Sequence, residues 1–357
     1  MVRRFDLRSD TVTRPTAAMW DAMRAAEVDD DAYGDDAAVG SLERRVAALL
    51  GHDAGLWLPT GTMANQLAVA LHCPRGSTVA CSPGAHVRIH EDASAAALSG
   101  VQLMSIGDRT GFDADELDAL VDEESCGWPP LHLVWLENTL GEAGGAIWPL
   151  HDPRRAAHGL QAIADRARGR GKPLHLDGAR LWNAHVATGI EMHVFGALAD
   201  TVSVSLSKGL GAPAGSVLCG SDDRIATARR LKHALGGAMR QAPAMLAAAG
   251  HYALDHHIAR LRDDHRRARA LADAIADLPH WQVTPPQTNL VLARVQPPLT
   301  RAEPLCAALR EAGVACYPNI AREVRLAVHL GLDDADIAEV ATIIRATLGD
   351  DPTRFTS

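Results

Sequence analysis

The chain has 357 residues, 47% of them hydrophobic and 22% charged, with a formal net charge of −9. That length supports one large unit plus a smaller one around a sizeable buried core, and the acidic balance argues against nucleic acid or an anionic membrane surface as partner. No run of about 18 uncharged apolar residues occurs, Met1–Asp6 lacks the apolar core of a signal peptide, and the six cysteines are scattered without a C-x-x-C pair, so a reduced, cytoplasmic protein is expected.

Leu7–Pro15 reads as a polar, extended arm ending in X-Pro, followed by a helix over about 16–26. An acidic loop, Asp29–Asp36, lacks EF-hand spacing and reads as a solvated loop with helix-entry charges. From there the chain alternates. A helix is expected over 41–50, stopped by Gly51. Strands are expected at 55–58, 78–81, 101–104, 131–136, 174–176 and 216–219, with helices from about Thr62, over 93–98, over 114–121 and over 152–170. Strands alternating with helices imply a mostly parallel sheet covered on both faces, with ligands at the carboxyl ends of its strands. After Gly236-Gly237 the texture changes. One long helical stretch (241–278) leads to Pro285-Pro286. A compact α+β unit follows, with strands at 290–292, 314–316 and 323–329 and helices over 304–312 and 334–348. The expectation is a large domain over 1–250 with an N-terminal arm and a small domain over 251–357. His251, His256, His257 and His265 do not form the i, i+4 pair of a helical zinc site and read as a solvated face.

One further strand carries the chemistry. In Thr201–Gly211, Val202, Val204 and Leu206 alternate with Ser203, Ser205 and Ser207 in the period of a strand. Lys208 stands where the strand stops, and Gly209 and Gly211 let the backbone turn close to a ligand. A lysine gripped there can serve as a nucleophilic amine once burial or a nearby cation lowers its pKa. On this window alone the favoured reading is an ordinary strand-end lysine reaching into solvent. The S-x-x-K pattern of Ser205 and Lys208 lacks the helix and the companion motifs of acyl-enzymes.

Three other pieces join it. Leu58–Asn65 reads as strand, tight turn and helix start, where the amides of Gly61, Thr62 and Met63 make an anion site. Asp177, after the strand 174–176, is placed either to pair with a protonated ring nitrogen or to cap the next helix. His86 follows the strand 78–81 and can stack on a flat ring, while Arg325, in the small domain, has the fork that suits a carboxylate. A phosphate cradle, a carboxylate and a lysine at strand ends are the parts that hold pyridoxal 5'-phosphate.

With these residues in view, the chain resembles the L-threonine aldolases, in the β-eliminating lyase group of fold-type I pyridoxal phosphate enzymes. The resemblance spans nearly the whole chain through Leu7–Thr13, Asp30–Asp36, Leu58–Asn65, Ala85–Glu91, Leu136–Thr139, His175–Ala184, Ser205–Ser216, Gly236–Gln241 and Val324–Leu330. It implies an α/β fold-type I large domain and a smaller C-terminal α+β domain. It implies that Lys208 holds the cofactor as a Schiff base, Asp177 pairs with the ring nitrogen, His86 stacks on the ring, and Gly61, Thr62 and Met63 hold the phosphate. Ser9, Arg180 and Arg325 would hold the substrate carboxylate, Arg180 also bordering the cofactor. Tyr33 would line the site and Arg240 would reach a phosphate in a neighbouring subunit of a homotetramer. The implied reaction is retro-aldol cleavage of a β-hydroxy-α-amino acid to glycine and an aldehyde, with β-elimination or racemisation as the alternatives on the same cofactor, and no metal is expected.

One position departs from the family. After Glu137-Asn138-Thr139 the family commonly has a histidine near the substrate hydroxyl, and here Leu140 stands there. Leucine accepts no proton. Three outcomes follow: His86 serves as base through a water, Glu142 enters the site, or the preferred substrate differs. Leu140 is also expected to make the pocket more apolar.

Overall fold

The computed structural model describes residues 4–349. Seven strands form one sheet, in the spatial order Ala54–Leu58, Ser216–Gly220, Thr201–Ser205, Leu174–Gly178, Leu131–Glu137, Thr78–Cys81 and Gln102–Ser105. Six run the same way, and Ser216–Gly220 is antiparallel to both neighbours. The central strands are buried along their whole length on both faces, as a helix-covered sheet requires. Their carboxyl ends therefore bring Glu137, Asp177 and the turn after Ser205 to one edge.

A second, four-stranded antiparallel sheet has the order Tyr317–Ile320, Glu323–Ala327, Leu290–Val295, Trp281–Thr284. The strands 281–284 and 317–320 were not expected, nor was the helix Asp222–Ala234. The chain start belongs with this second core. Phe5–Asp6 pairs in parallel with Val314–Ala315, and Phe5 and Leu7 are buried among Ala268, Leu271, Val291 and Val324. Burying two such side chains contributes about 1.5–3 kcal/mol each. The arm is thus fastened before it passes Ser9 and Asp10.

Several elements differ from expectation for local reasons. The stretch 152–170 is not one helix. Asp152 accepts the amides of Arg154 and Arg155 (2.9 and 3.1 Å), Ala156–His158 makes a short 3₁₀ turn, and the helix proper is Leu160–Gly169. The stretch 241–278 breaks into Ala242–His256 and Leu261–Ile275. Between them His257 Nδ1 lies 2.7 Å from the Leu210 carbonyl. His257 and His265 are accordingly buried rather than on a solvated face. The helix expected at 41 starts at Ala37, because Asp36 caps Val39 (2.9 Å). The acidic loop is not wholly solvated either: Asp31 is buried against Lys232 Nζ at 2.7 Å.

Candidate active site

A pocket of about 440 Å³ opens at the carboxyl ends of the parallel strands, and Ser9, His86, Asp177, Arg180, Lys208 and Arg325 all line it. These six expected residues come from the arm, three separate stretches of the large sheet's surroundings and the small sheet. Lys208 lies three positions beyond the strand end at Ser205, in a turn closed by Gly211 N–H to the Lys208 carbonyl (2.9 Å). Gly211 has φ +75°, which L side chains rarely adopt. Thr13 Oγ1 of the arm donates to the same carbonyl (3.1 Å). The Lys208 ammonium is driven below its usual pKa by loss of water and by the Arg180 guanidinium, so more of the amine is neutral and nucleophilic.

Asp177 belongs to its strand, which runs to Gly178. The helix that follows, Leu181–Thr188, has no side-chain cap. Asp177 Oδ1 accepts the Ala179 amide (3.0 Å) and Oδ2 accepts Asn65 Nδ2 (2.8 Å). The capping alternative is therefore reduced to a single turn bond. Asn65, on the helix Gly61–His72, also donates to Glu91 Oε1 (2.7 Å) and accepts from Ser203 Oγ (3.0 Å). Glu91 in turn holds His86 Nδ1 at 2.8 Å. Burial opposes the charge on His86, but the Glu91 bond and the Asp177 charge outweigh it and raise its pKa. Donor atoms of His86, Glu91 and Asp177 lie within 4.8 Å of one another, and these hydrogen bonds account for their closeness.

Arg180 is engaged by a residue that sequence reasoning missed. Its Nε and Nη2 donate to the two oxygens of Asp10 (2.9 and 2.7 Å), and Asp10 is fully buried. Burial favours the neutral acid, but Arg180 overrides it and holds the Asp10 carboxyl far below the ordinary 3.8. Asn289 Nδ2, from the second unit, donates to Asp10 Oδ2 (3.1 Å). Arg325 stacks on Tyr317 (4.7 Å to the ring centre), stands 3.6 Å from Glu142 Oε1, and leaves its Nε buried without a partner among the described residues. Glu137, unassigned from sequence, accepts the amides of His86 (2.8 Å) and Gly141 (2.9 Å). Its acid is pushed up by burial and by Asp177.

Three sets lie differently from expectation. Gly61, Thr62 and Met63 do form a helix start, but the Met63 amide is already held by Thr60 Oγ1 (3.1 Å). Tyr33 does not line this pocket, and neither does Arg240, whose expected place was a neighbouring subunit's site rather than this one. Arg240 sits at the acidic loop, where its carbonyl accepts the Asp31 amide (3.1 Å) and its Nη1 lies 3.4 Å from Asp30, and Tyr33 is exposed. Leu140 does not add apolar wall, because its side chain is buried in the main core. Glu142, two residues on, is the one that enters the pocket.

The fold and pocket define a fold-type I α/β enzyme scaffold. A family model described as beta-eliminating lyase matches residues 6–297, and the chain belongs to that family. It is 38% identical to the low specificity L-threonine aldolase of Escherichia coli K12, covering 96% of this chain and 99% of that one. It is 34% identical to low-specificity L-threonine aldolase 1 of Arabidopsis thaliana, with 94% of each chain covered. The structure of Leishmania major threonine aldolase shares the fold, with a TM-score of 0.80 at 17% identity over 96% of this chain and 99% of that one.

Proposed function

We propose that this protein binds pyridoxal 5'-phosphate at Lys208 and cleaves L-threonine, L-allo-threonine and related β-hydroxy-α-amino acids to glycine and an aldehyde. The observation that carries the reading is a lysine of lowered pKa facing one pocket with a buried carboxylate, Asp177, and two arginines.

The residues present fit the cofactor. A Cβ built on Gly61 meets no atom of the described residues within 4 Å, so space lies open before a helix start whose Gly61 and Thr62 amides have no helical partner. Met63 supplies the turn and lends its amide to the Thr60 cap. When bound, pyridoxal phosphate supplies the sink for the electron pair of a bond broken at the substrate α-carbon. Lys208 Nζ is the attachment point. Asp177 keeps a proton on the ring nitrogen, and Asn65 holds that carboxylate in place. His86, its ring fixed by Glu91, offers a flat face. Arg325, with its unpartnered Nε, and Ser9 take the substrate carboxylate. Arg180 contributes Nη1, since its Nε–H and one N–H of Nη2 are spent on Asp10.

On this reading 1–250 is the cofactor-binding unit, with its arm reaching across to the second core, and 251–357 is the unit that brings Arg325. Arg240 and Tyr33, away from their own pocket, suit a site in a neighbouring subunit, which requires a homo-oligomer, read as a tetramer. A cytoplasmic setting is supported by six unpaired cysteines among the described residues and by the lack, among those residues, of any helix long and apolar enough to cross a membrane.

Incubation of the holoenzyme with L-allo-threonine, followed by product analysis, tests the reaction. Equal amounts of glycine and acetaldehyde are expected. A keto acid with ammonia, or the enantiomer alone, would replace this reading with elimination or racemisation.

A further inference from the structure

The pocket contains an acid–base pair to which neither the reading above nor the relatives' names give a role. His90 ends the short helix that begins with His86, and its Nε2 lies 2.8 Å from Glu142 Oε1. Glu142 sits in the 3₁₀ turn Gly141–Ala143 with a nearly buried side chain, and Arg325 Nη1 stands 3.6 Å from the same oxygen. The turn is pinned: the Glu142 carbonyl accepts Arg109 Nη2 (2.6 Å) and Asn319 Nδ2 (3.1 Å). Both His90 and Glu142 line the pocket, and the ring centres of His90 and His86 are 5.3 Å apart.

A carboxylate on one imidazole nitrogen selects the tautomer whose other nitrogen is an acceptor. With Nε2–H donated to Glu142, His90 keeps Nδ1 as the acceptor. The other candidates are less suited. Leu140 has no acceptor and packs in the core. His86 has its Nδ1 held by Glu91 and gives its flat ring face to the cofactor on the reading proposed for the site.

We propose that His90, oriented by Glu142, is the base that removes the β-hydroxyl proton of the substrate. This rests on the aldolase reading. In the step, the hydroxyl proton passes to His90 Nδ1 and the O–H pair becomes the second bond of the aldehyde carbonyl. The Cα–Cβ bond breaks with its pair going to the glycine fragment, whose α-carbon then takes up one proton, so no oxidant or reductant is consumed. His90 touches the reacting hydroxyl, whereas Glu142 is a positioning residue.

The test uses the holoenzyme and two reactions in one preparation: cleavage of L-allo-threonine, and exchange of the α-protons of glycine in D₂O followed by NMR. Exchange needs the lysine and cofactor but no hydroxyl base. His90→Phe is expected to lower kcat for cleavage by about 100-fold or more, the scale of a lost general base, with KM and the glycine exchange rate within about threefold. Glu142→Gln, which keeps the shape, is expected to lower cleavage by about tenfold, again sparing exchange, as befits a residue acting through orientation. Cleavage in His90→Phe within threefold of wild type, or exchange that falls in step with cleavage, overturns the proposal. A wild-type enzyme that exchanges glycine protons but releases no aldehyde overturns the aldolase reading itself, and this proposal with it.

Discussion

The two walls of the pocket use their polar atoms differently. On the sheet side, both oxygens of Asp177, both of Glu91 and both ends of Asn65 are engaged. On the facing side, Arg325 Nε and Thr139 Oγ1, of two residues that line the pocket, are buried with no partner among the described residues. A buried polar atom without a partner costs about 1–3 kcal/mol. The saturated wall is therefore rigid and pre-formed, which suits a resident cofactor. The unsaturated wall keeps bonding capacity that a substrate carboxylate and hydroxyl can use. Rigidity and recognition are divided between the large sheet and the loops that meet the small one.

Replacements on each wall can separate these roles. The largest effect is expected for Lys208→Ala. Loss of the nucleophilic amine is expected to lower turnover on the order of 10⁴-fold, checked by steady-state aldehyde release, while circular dichroism stays native. Next comes Asp10→Asn, which leaves the Arg180 charge buried without its partner. It is expected to cost about 3–5 kcal/mol in denaturant unfolding. The same residue has a pH signature. Its folded pKa is depressed, so its stabilisation is fully present above the ordinary 3.8 and lost as pH falls through the folded value. The wild type should thus lose stability as pH drops below about 4, and Asp10→Asn should flatten that slope. Asp177→Asn is expected to lower turnover about 100-fold and loosen the cofactor, measured by dialysis and absorbance. Least is expected from Leu140→His. Because that side chain lies in the core, it should cost about 2 kcal/mol for a buried ring without a partner and give no gain in threonine cleavage. A gain would show that the loop can turn residue 140 into the pocket.

Much of the sheet wall was legible because it is local. Alternating Val and Ser before Lys208, the apolar run before Asp177 and the turn at Gly61 each announce a strand or helix end within a few residues. On the facing wall Ser9, Arg325 and Glu142 were named as candidates, but the pairings were not legible, because the partners are far apart in sequence. Asp10 and Arg180 are 170 positions apart, and neither window signals the other. Glu142 and His90 are 52 apart, and only the fold brings a loop glutamate to a helix end. The break at His257 was equally hidden. No Gly or Pro marks it, and at the break His257 Nδ1 meets the Leu210 carbonyl, a tertiary partner. Leu140 shows the converse: its place in the motif was legible, but the direction of its side chain was not.

The claim on which both walls depend is that Lys208 is the amine that holds the cofactor. Borohydride reduction of the holoenzyme, proteolysis and mass mapping test it in one measurement. The account predicts a single phosphopyridoxyl label on the peptide that contains Lys208. A label on another lysine, or none on a protein that binds the cofactor and turns over, would contradict it.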